Sequence, residues 1–179
     1  MTSATASQTA GPYWHMIDFP EWADLTRADG PNAGVAGERI VLTGRITDGA
    51  GEPCADAMVE IWQAGPDGQY EAGFHGFGRC ATDTEGRYRF VTLKPGPSAG
   101  LGNQAQAPHV VLSIFARGLM KAAVTRLYFA GEALNDSDQV LNLVPAARRG
   151  TMIARPAAPG EWRLDIRLQG EGETVFLEV

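Results

Sequence analysis

Short runs of alternating apolar residues, turn clusters of Gly, Pro and Asp between them, and no sustained helical period predict an all-β fold. The pattern is that of an antiparallel β-sandwich or barrel carrying an irregular N-terminal arm. The 179 residues suit one domain, or one domain plus an arm. Residues 1–36 read as the arm and 37–179 as the β domain. A chain of this size buries roughly 70% of the surface its unfolded form exposes, so its core does not depend on disulfides.

The arm carries Tyr13, Trp14, Phe19 and Trp22 among Gly, Pro, Ser and Asp. Aromatic side chains in a segment with no core of its own must dock on something, either the domain or a partner chain. Its one candidate helix runs from Glu21 to Arg27. In the domain, Ile40, Leu42, Gly44 and Ile46 alternate with Arg39, Val41, Thr43 and Arg45, which predicts a strand over Arg39–Thr47. Further strands are expected over Ala57–Gln63, Arg87–Thr92, His109–Phe115, Val124–Phe129, Thr151–Ala154 and Thr174–Leu177. The cleanest alternation is Trp162, Leu164, Ile166 and Leu168 against Arg163, Asp165, Arg167 and Gln169, giving one strand over Glu161–Gly170. The turn clusters Asp48–Gly51, Pro66–Gly68, Asp83–Gly86 and Pro95–Pro97 separate these runs, because Gly supplies positive φ and Pro fixes φ near −65°. The polar stretch 131–150 reads as a long loop near an edge.

The net charge of −6 argues against nucleic acid, which requires a basic face. Only Lys94 and Lys121 are lysine among the 15 basic residues. Arginine suits interfaces and planar anions, although genomic base composition explains the bias equally well. Cys54 and Cys80 have no CxxC spacing, hence neither a zinc signature nor a disulfide framework. The first eight residues lack a basic and then an apolar region, so no signal peptide is expected. No apolar run nears the roughly 20 residues of a membrane helix, and a reducing cytoplasm is the expected setting.

Two motifs are read as chance. Gly96-Pro97-Ser98-Ala99-Gly100 matches GxSxG, and Gly100 to Ala105 matches GxGxxA, but no helical pattern follows either. His15, His75 and His109 form no HxH or HExxH pair, since Val111 stands two residues after His109. Alone, His109 is most simply a packed, hydrogen-bonded histidine. Arg117 follows the His109–Phe115 run at a strand end, where pocket rims form, but by itself it reads as a solvated loop residue. Arg148-Arg149 reads the same way. Thr9-Ala10-Gly11-Pro12-Tyr13 places a hydroxyl, a small backbone and an aromatic in a row, which suits either a flat ligand or a docked arm.

Taken in order, Ser7 to Tyr13, Val59 to Ala64, Gly76 to Arg79, Thr92 to Gly96, Ala107 to His109, Leu112 to Gly118, Thr125 to Phe129 and Gln169 to Phe176 resemble the intradiol ring-cleaving dioxygenases. The resemblance implies an immunoglobulin-like or transthyretin-like sandwich. It also implies ferric iron held by two tyrosinates and two histidines in catalytic members, a donor set suited to the higher oxidation state. This chain departs from that pattern. The loop of the first tyrosine is shortened around Glu71 to Phe74, Ser98 stands for the second tyrosine, and of the histidine pair only His109 remains.

The resemblance therefore implies a subunit with no metal and no catalytic residue of its own. Its partner would be a homologous iron-bearing beta chain in an (alpha-beta)n oligomer, with Fe(III) in that partner. The implied substrates are O2 and protocatechuate (3,4-dihydroxybenzoate), cleaved to 3-carboxy-cis,cis-muconate. By position, Thr9, Gly11, Pro12, Tyr13 and Arg117 become the substrate-pocket residues, and Arg117 suits the substrate carboxylate. Two rivals remain open. One is a binding module with Trp14 or Trp22 as its platform. The other is a self-sufficient dioxygenase with rearranged ligands; against it, Tyr13, Tyr70, Tyr88 and Tyr128 do not fall at the family's ligand positions, and Tyr88 and Tyr128 sit in strand patterns as core residues.

Overall fold

The computed structural model describes residues 18–178. Among them are eleven strands: β1 (Arg39–Thr47), β2 (Met58–Gln63), β3 (Phe77–Ala81), β4 (Arg87–Leu93), β5 (Ser98–Ala99), β6 (Ala105–Gln106), β7 (His109–Phe115), β8 (Ala123–Phe129), β9 (Ile153–Ala158), β10 (Glu161–Arg163) and β11 (Ile166–Arg167). Two short helices follow β8, namely α1 (Gln139–Leu143) and α2 (Ala146–Arg149).

Nine strands join in one sheet of order β11-β1-β10-β9-β8-β7-β2-β3, with β4 paired to the other edge of β1. β9 links a half built on β1, β4 and β10 to a half built on β2, β3, β7 and β8. The halves fold over a shared core. Ile40, Leu42, Ile46 and Phe90 come from the first, and Val59, Ile61, Leu112, Ile114 and Leu127 from the second. These are the apolar members of the alternation in each strand, and each buried side chain contributes about 1.5–3 kcal/mol. One polar staple crosses the interior. The Gln63 amide donates to the Leu93 carbonyl at 2.8 Å and accepts from the Thr92 hydroxyl at 2.9 Å, tying β2 to β4.

Several sequence expectations are corrected. The sheet is mixed, because β1 runs parallel to β10 and β11, and β8 runs parallel to β9. Parallel neighbours need a long crossover, and residues 130–152 provide it. This explains why the stretch expected to be a loop holds α1 and α2 instead. The single strand expected over Glu161–Gly170 is broken into β10 and β11. At the break, the Tyr88 hydroxyl donates to the Leu164 carbonyl at 2.7 Å, and the Asp165 carboxylate accepts from Arg45 N at 2.9 Å. The Leu164 carbonyl sits so close to β1 that a Cβ on Gly44 would lie 1.9 Å from it.

The expected helix over Glu21–Arg27 is a single 3-10 turn, Pro20–Ala23. Beyond it Asp24 bridges Val91, and Leu25 N donates to the Val91 carbonyl, which delivers Leu25 to the core. Thr174–Leu177 forms no strand. Its backbone is fastened by separate bonds from Thr174 N to the Arg167 carbonyl and from Leu177 N to the Val124 carbonyl. The segment 18–36 packs on the domain. The Asn32 amide, buried to 4% exposure, donates to the carbonyls of Leu25 and His75 and accepts from His75 N.

Candidate functional site

Two loci bear on function. The first lies on the face of β2, β7 and β8 turned away from the main core. Strand alternation puts Val59, Ile61, Val110, Leu112 and Leu127 inward, so Trp62, Val111 and Arg126 share the opposite face as register partners, with His109 opposite Tyr128 one step along.

His109 is 3% exposed. Its Nδ1 lies 2.8 Å from the Ala107 carbonyl, which requires the proton on Nδ1 and leaves the Nε2 lone pair free. That lone pair faces the Tyr70 hydroxyl at 3.4 Å. Burial, aided by the neighbouring Arg126 charge, lowers the imidazole to about 4, so His109 is neutral at physiological pH. Tyr70 stacks on Trp62 with ring centroids 6.0 Å apart. Burial raises its phenol, opposed by Arg126 and by the nearby Ser98 hydroxyl. The buried Ser98 Oγ makes no hydrogen bond of good geometry among the described residues.

A polar ladder supports this locus. The Arg126 guanidinium donates to Gln106 Oε1 at 2.7 Å and to the Tyr128 hydroxyl at 3.3 Å. Tyr128 donates to Asp138 at 3.0 Å. The fully buried Asp138 carboxylate also caps α1 through Val140 N and Leu141 N, and it accepts from Ala107 N at 2.9 Å. Ala107 in turn holds His109, so one carboxylate fixes the helix start, the phenol and the imidazole's anchor.

The residues here do not fit ferric iron. That ion favours anionic oxygen donors with imidazole. The locus offers one imidazole, the phenols of Tyr70 and Tyr128, an Asp138 carboxylate already engaged by four donors, the Ser98 hydroxyl, the Val111 side chain where a second imidazole would be needed, and the positive charge of Arg126. Among the described residues, no group of three or more His, Cys, Asp or Glu side chains is placed to hold a metal.

The second locus is Arg117. It stands just past β7, where Gly118 turns the chain at φ 83°. Its side chain is 82% exposed and pairs with Asp56 at 2.9 Å. His109 opens the same strand, so the two loci lie at opposite ends of β7, about 25 Å of extended chain apart. The structure does not bring Arg117 to the His109 locus. Thr9, Gly11, Pro12 and Tyr13 lie outside the described residues.

The sequence reading left Tyr70, Arg126, Gln106 and Asp138 without roles. The signal for Arg126 was present, since a cation between Thr125 and Leu127 in an alternating strand must face away from the core. Tyr70 and Asp138 reach the locus from loops, where no period exists to place them. Tyr88 and Tyr128 are core residues, as their strand positions predict. Trp22 is half-buried, with the Arg79 guanidinium 5.1 Å from its ring centroid.

The family model described as "Dioxygenase" matches residues 10–170. Among solved structures, the dioxygenase domain of a carbohydrate-binding fusion from Streptomyces sp. SirexAA-E is similar at TM-score 0.64 and 25% identity, over 97% of this chain and 100% of that one. Catechol 1,2-dioxygenase from Pseudomonas arvilla C-1 is similar at TM-score 0.62 and 26% identity, over 82% of this chain and 55% of that one. The chain belongs to the intradiol ring-cleaving dioxygenase family. Within it, similarity extends over nearly the whole length of the protocatechuate 3,4-dioxygenase alpha chain of Burkholderia cepacia, at 40% identity over 98% of this chain and 97% of that one. The alpha chain of Pseudomonas putida is similar at 41% over 97% and 96%. The beta chain of the Burkholderia enzyme is 39% identical over 74% of this chain and 62% of its own length. These similarities class the chain as a dioxygenase subunit.

Proposed function

We propose that this chain is the non-catalytic, pocket-forming alpha subunit of a protocatechuate 3,4-dioxygenase. A homologous beta chain holds Fe(III), and the (alpha-beta)n assembly cleaves 3,4-dihydroxybenzoate with O2. The bond between the two hydroxyl-bearing carbons breaks, each of those carbons gains one oxygen atom of O2, and the product is 3-carboxy-cis,cis-muconate. The two-halved sheet is read as the sandwich typical of the family. The observation that carries this reading is the donor set around His109, which is unsuited to ferric iron in a chain otherwise similar to both subunit types.

Arg117 supports the division of labour. It lies far along β7 from His109 and points into solvent, so a substrate it touches would sit in another chain's pocket. A guanidinium recognises a carboxylate by charge-assisted hydrogen bonds, and the substrate carries one. Thr9, Gly11, Pro12 and Tyr13 of the arm complete the same wall. The test is metal analysis and an oxygen-uptake assay on this chain alone and co-purified with a beta chain. The lone chain is expected to be iron-free and inactive, and the pair coloured and active. Stoichiometric, tightly held iron in the lone chain would overturn the reading.

A further inference from the structure

Five of the chain's arginines meet on one sheet face. The register places Arg89 of β4 opposite Thr43 of β1, Thr43 opposite Arg163 of β10, and Arg163 opposite Arg155 of β9. Directly paired residues share a face, so three guanidiniums stand in one row across four strands. Arg45 pairs with Arg87 in the next row on that face. The core-facing neighbours Leu42, Tyr88 and Phe90 point the other way, which turns the arginines outward. Arg163 stands between two open depressions of about 470 and 400 Å³, the first also lined by Arg87 and Arg89 with Asp83 and Glu161, and the second by Arg155 with Asp165.

Part of this charge is already matched. Arg163 pairs with Asp165 at 2.9 Å, and Arg87 pairs with Asp83 and Glu85 at 3.7 and 4.0 Å. The two ends of the row, Arg89 and Arg155, are exposed and have no ion pair among the described residues. Strand spacing puts them about 14 Å apart. In an extended peptide, carboxylates at positions i and i+4 are also about 14 Å apart and face the same side.

We infer that this face docks an extended acidic polypeptide segment with carboxylates at alternate positions. Charge complementarity selects that occupant. The chain as a whole carries −6, which repels a long polyanion such as a nucleic acid. A short acidic segment feels mainly the local field, because salt screens charges beyond about 10 Å.

The test uses the full chain and a fluorescein-labelled eight-residue peptide of alternating Glu and Thr, followed by anisotropy at low salt. Binding is expected, weakened about 5- to 10-fold by Arg89→Ala/Arg155→Ala, abolished by Arg89→Glu/Arg155→Glu, and unaffected by Arg148→Ala elsewhere on the surface. The Gln-for-Glu peptide should not bind. The inference is overturned if the wild-type chain fails to bind, or if the charge-reversed variant binds as well as wild type. Displacement of the peptide by equimolar inorganic phosphate, or an equally tight complex with an eight-nucleotide oligothymidylate, also overturns it.

Discussion

Replacing Asp138 with alanine removes four hydrogen bonds at once from a carboxylate that solvent does not reach. Ala107 N and the Tyr128 hydroxyl lose their acceptor in an environment where neither residue is exposed. Each orphaned buried donor costs about 1–3 kcal/mol. The lost α1 cap at Val140 N and Leu141 N adds about 0.5–2 kcal/mol. Relief from no longer burying a charge offsets part of this, leaving a net loss of roughly 3–6 kcal/mol. A single domain has only about 5–15 kcal/mol to lose. Asp138→Asn separates the contributions. Its one oxygen can still serve the cap and Tyr128, while its amide faces the Ala107 N–H donor to donor, for a loss of about 1–3 kcal/mol. Urea unfolding followed by tryptophan fluorescence reads both variants. A loss below about 1 kcal/mol for the alanine variant, or equal losses for the two, would refute the assignment of Asp138 as the shared anchor.

Other outcomes are as specific. Gly44→Ala drives a Cβ against the Leu164 carbonyl and the Tyr88 ring; it is expected to cost about 3 kcal/mol in the same assay, and a cost near zero would show that the break at Leu164 is not so closely seated on β1. Arg117→Ala should leave the lone chain's stability within about 1 kcal/mol, because its ion pair is exposed. In the proposed assembly with a beta chain, iron content should hold while kcat/KM for 3,4-dihydroxybenzoate falls, by as much as about 2–5 kcal/mol of transition-state binding if the contact is dry; unchanged kinetics would refute the proposed pocket role of Arg117. Because the fold holds His109 near 4 against an ordinary 6.5, the unfolded chain takes up its proton first as pH falls. Its stabilising contribution is complete above pH 6.5 and is lost between 6.5 and about 4, a change on the order of 3 kcal/mol. Urea midpoints across that range should slope less in His109→Gln than in the parent, and equal slopes would assign the titration elsewhere.

Strands with a one-sided burial demand were legible residue by residue. β1 and β7 fall where alternation and the apolar run put them, and β2, β4 and β8 within a residue. β3 was not seen, because Phe77-Gly78-Arg79-Cys80-Ala81 carries its alternation in small and charged residues rather than in apolar ones. The strand expected over Glu161–Gly170 kept its apolar face, with Leu164 and Ile166 buried, but lost its continuity. What broke it was the Tyr88 hydroxyl and a carboxylate competing for the ladder, partners that lie far away in sequence.

The order of side chains alone fixed the all-β class and the inward face of most strands, since each follows from period and residue identity. Tertiary structure decided the parallel pairings, the meeting of Tyr70 with His109, the anchoring role of Asp138, the distance between Arg117 and His109, and the arginine row. Each of these is a relation between segments remote in the chain. Such relations are set by which crossovers and loops can close over a shared core, and no local pattern encodes that choice.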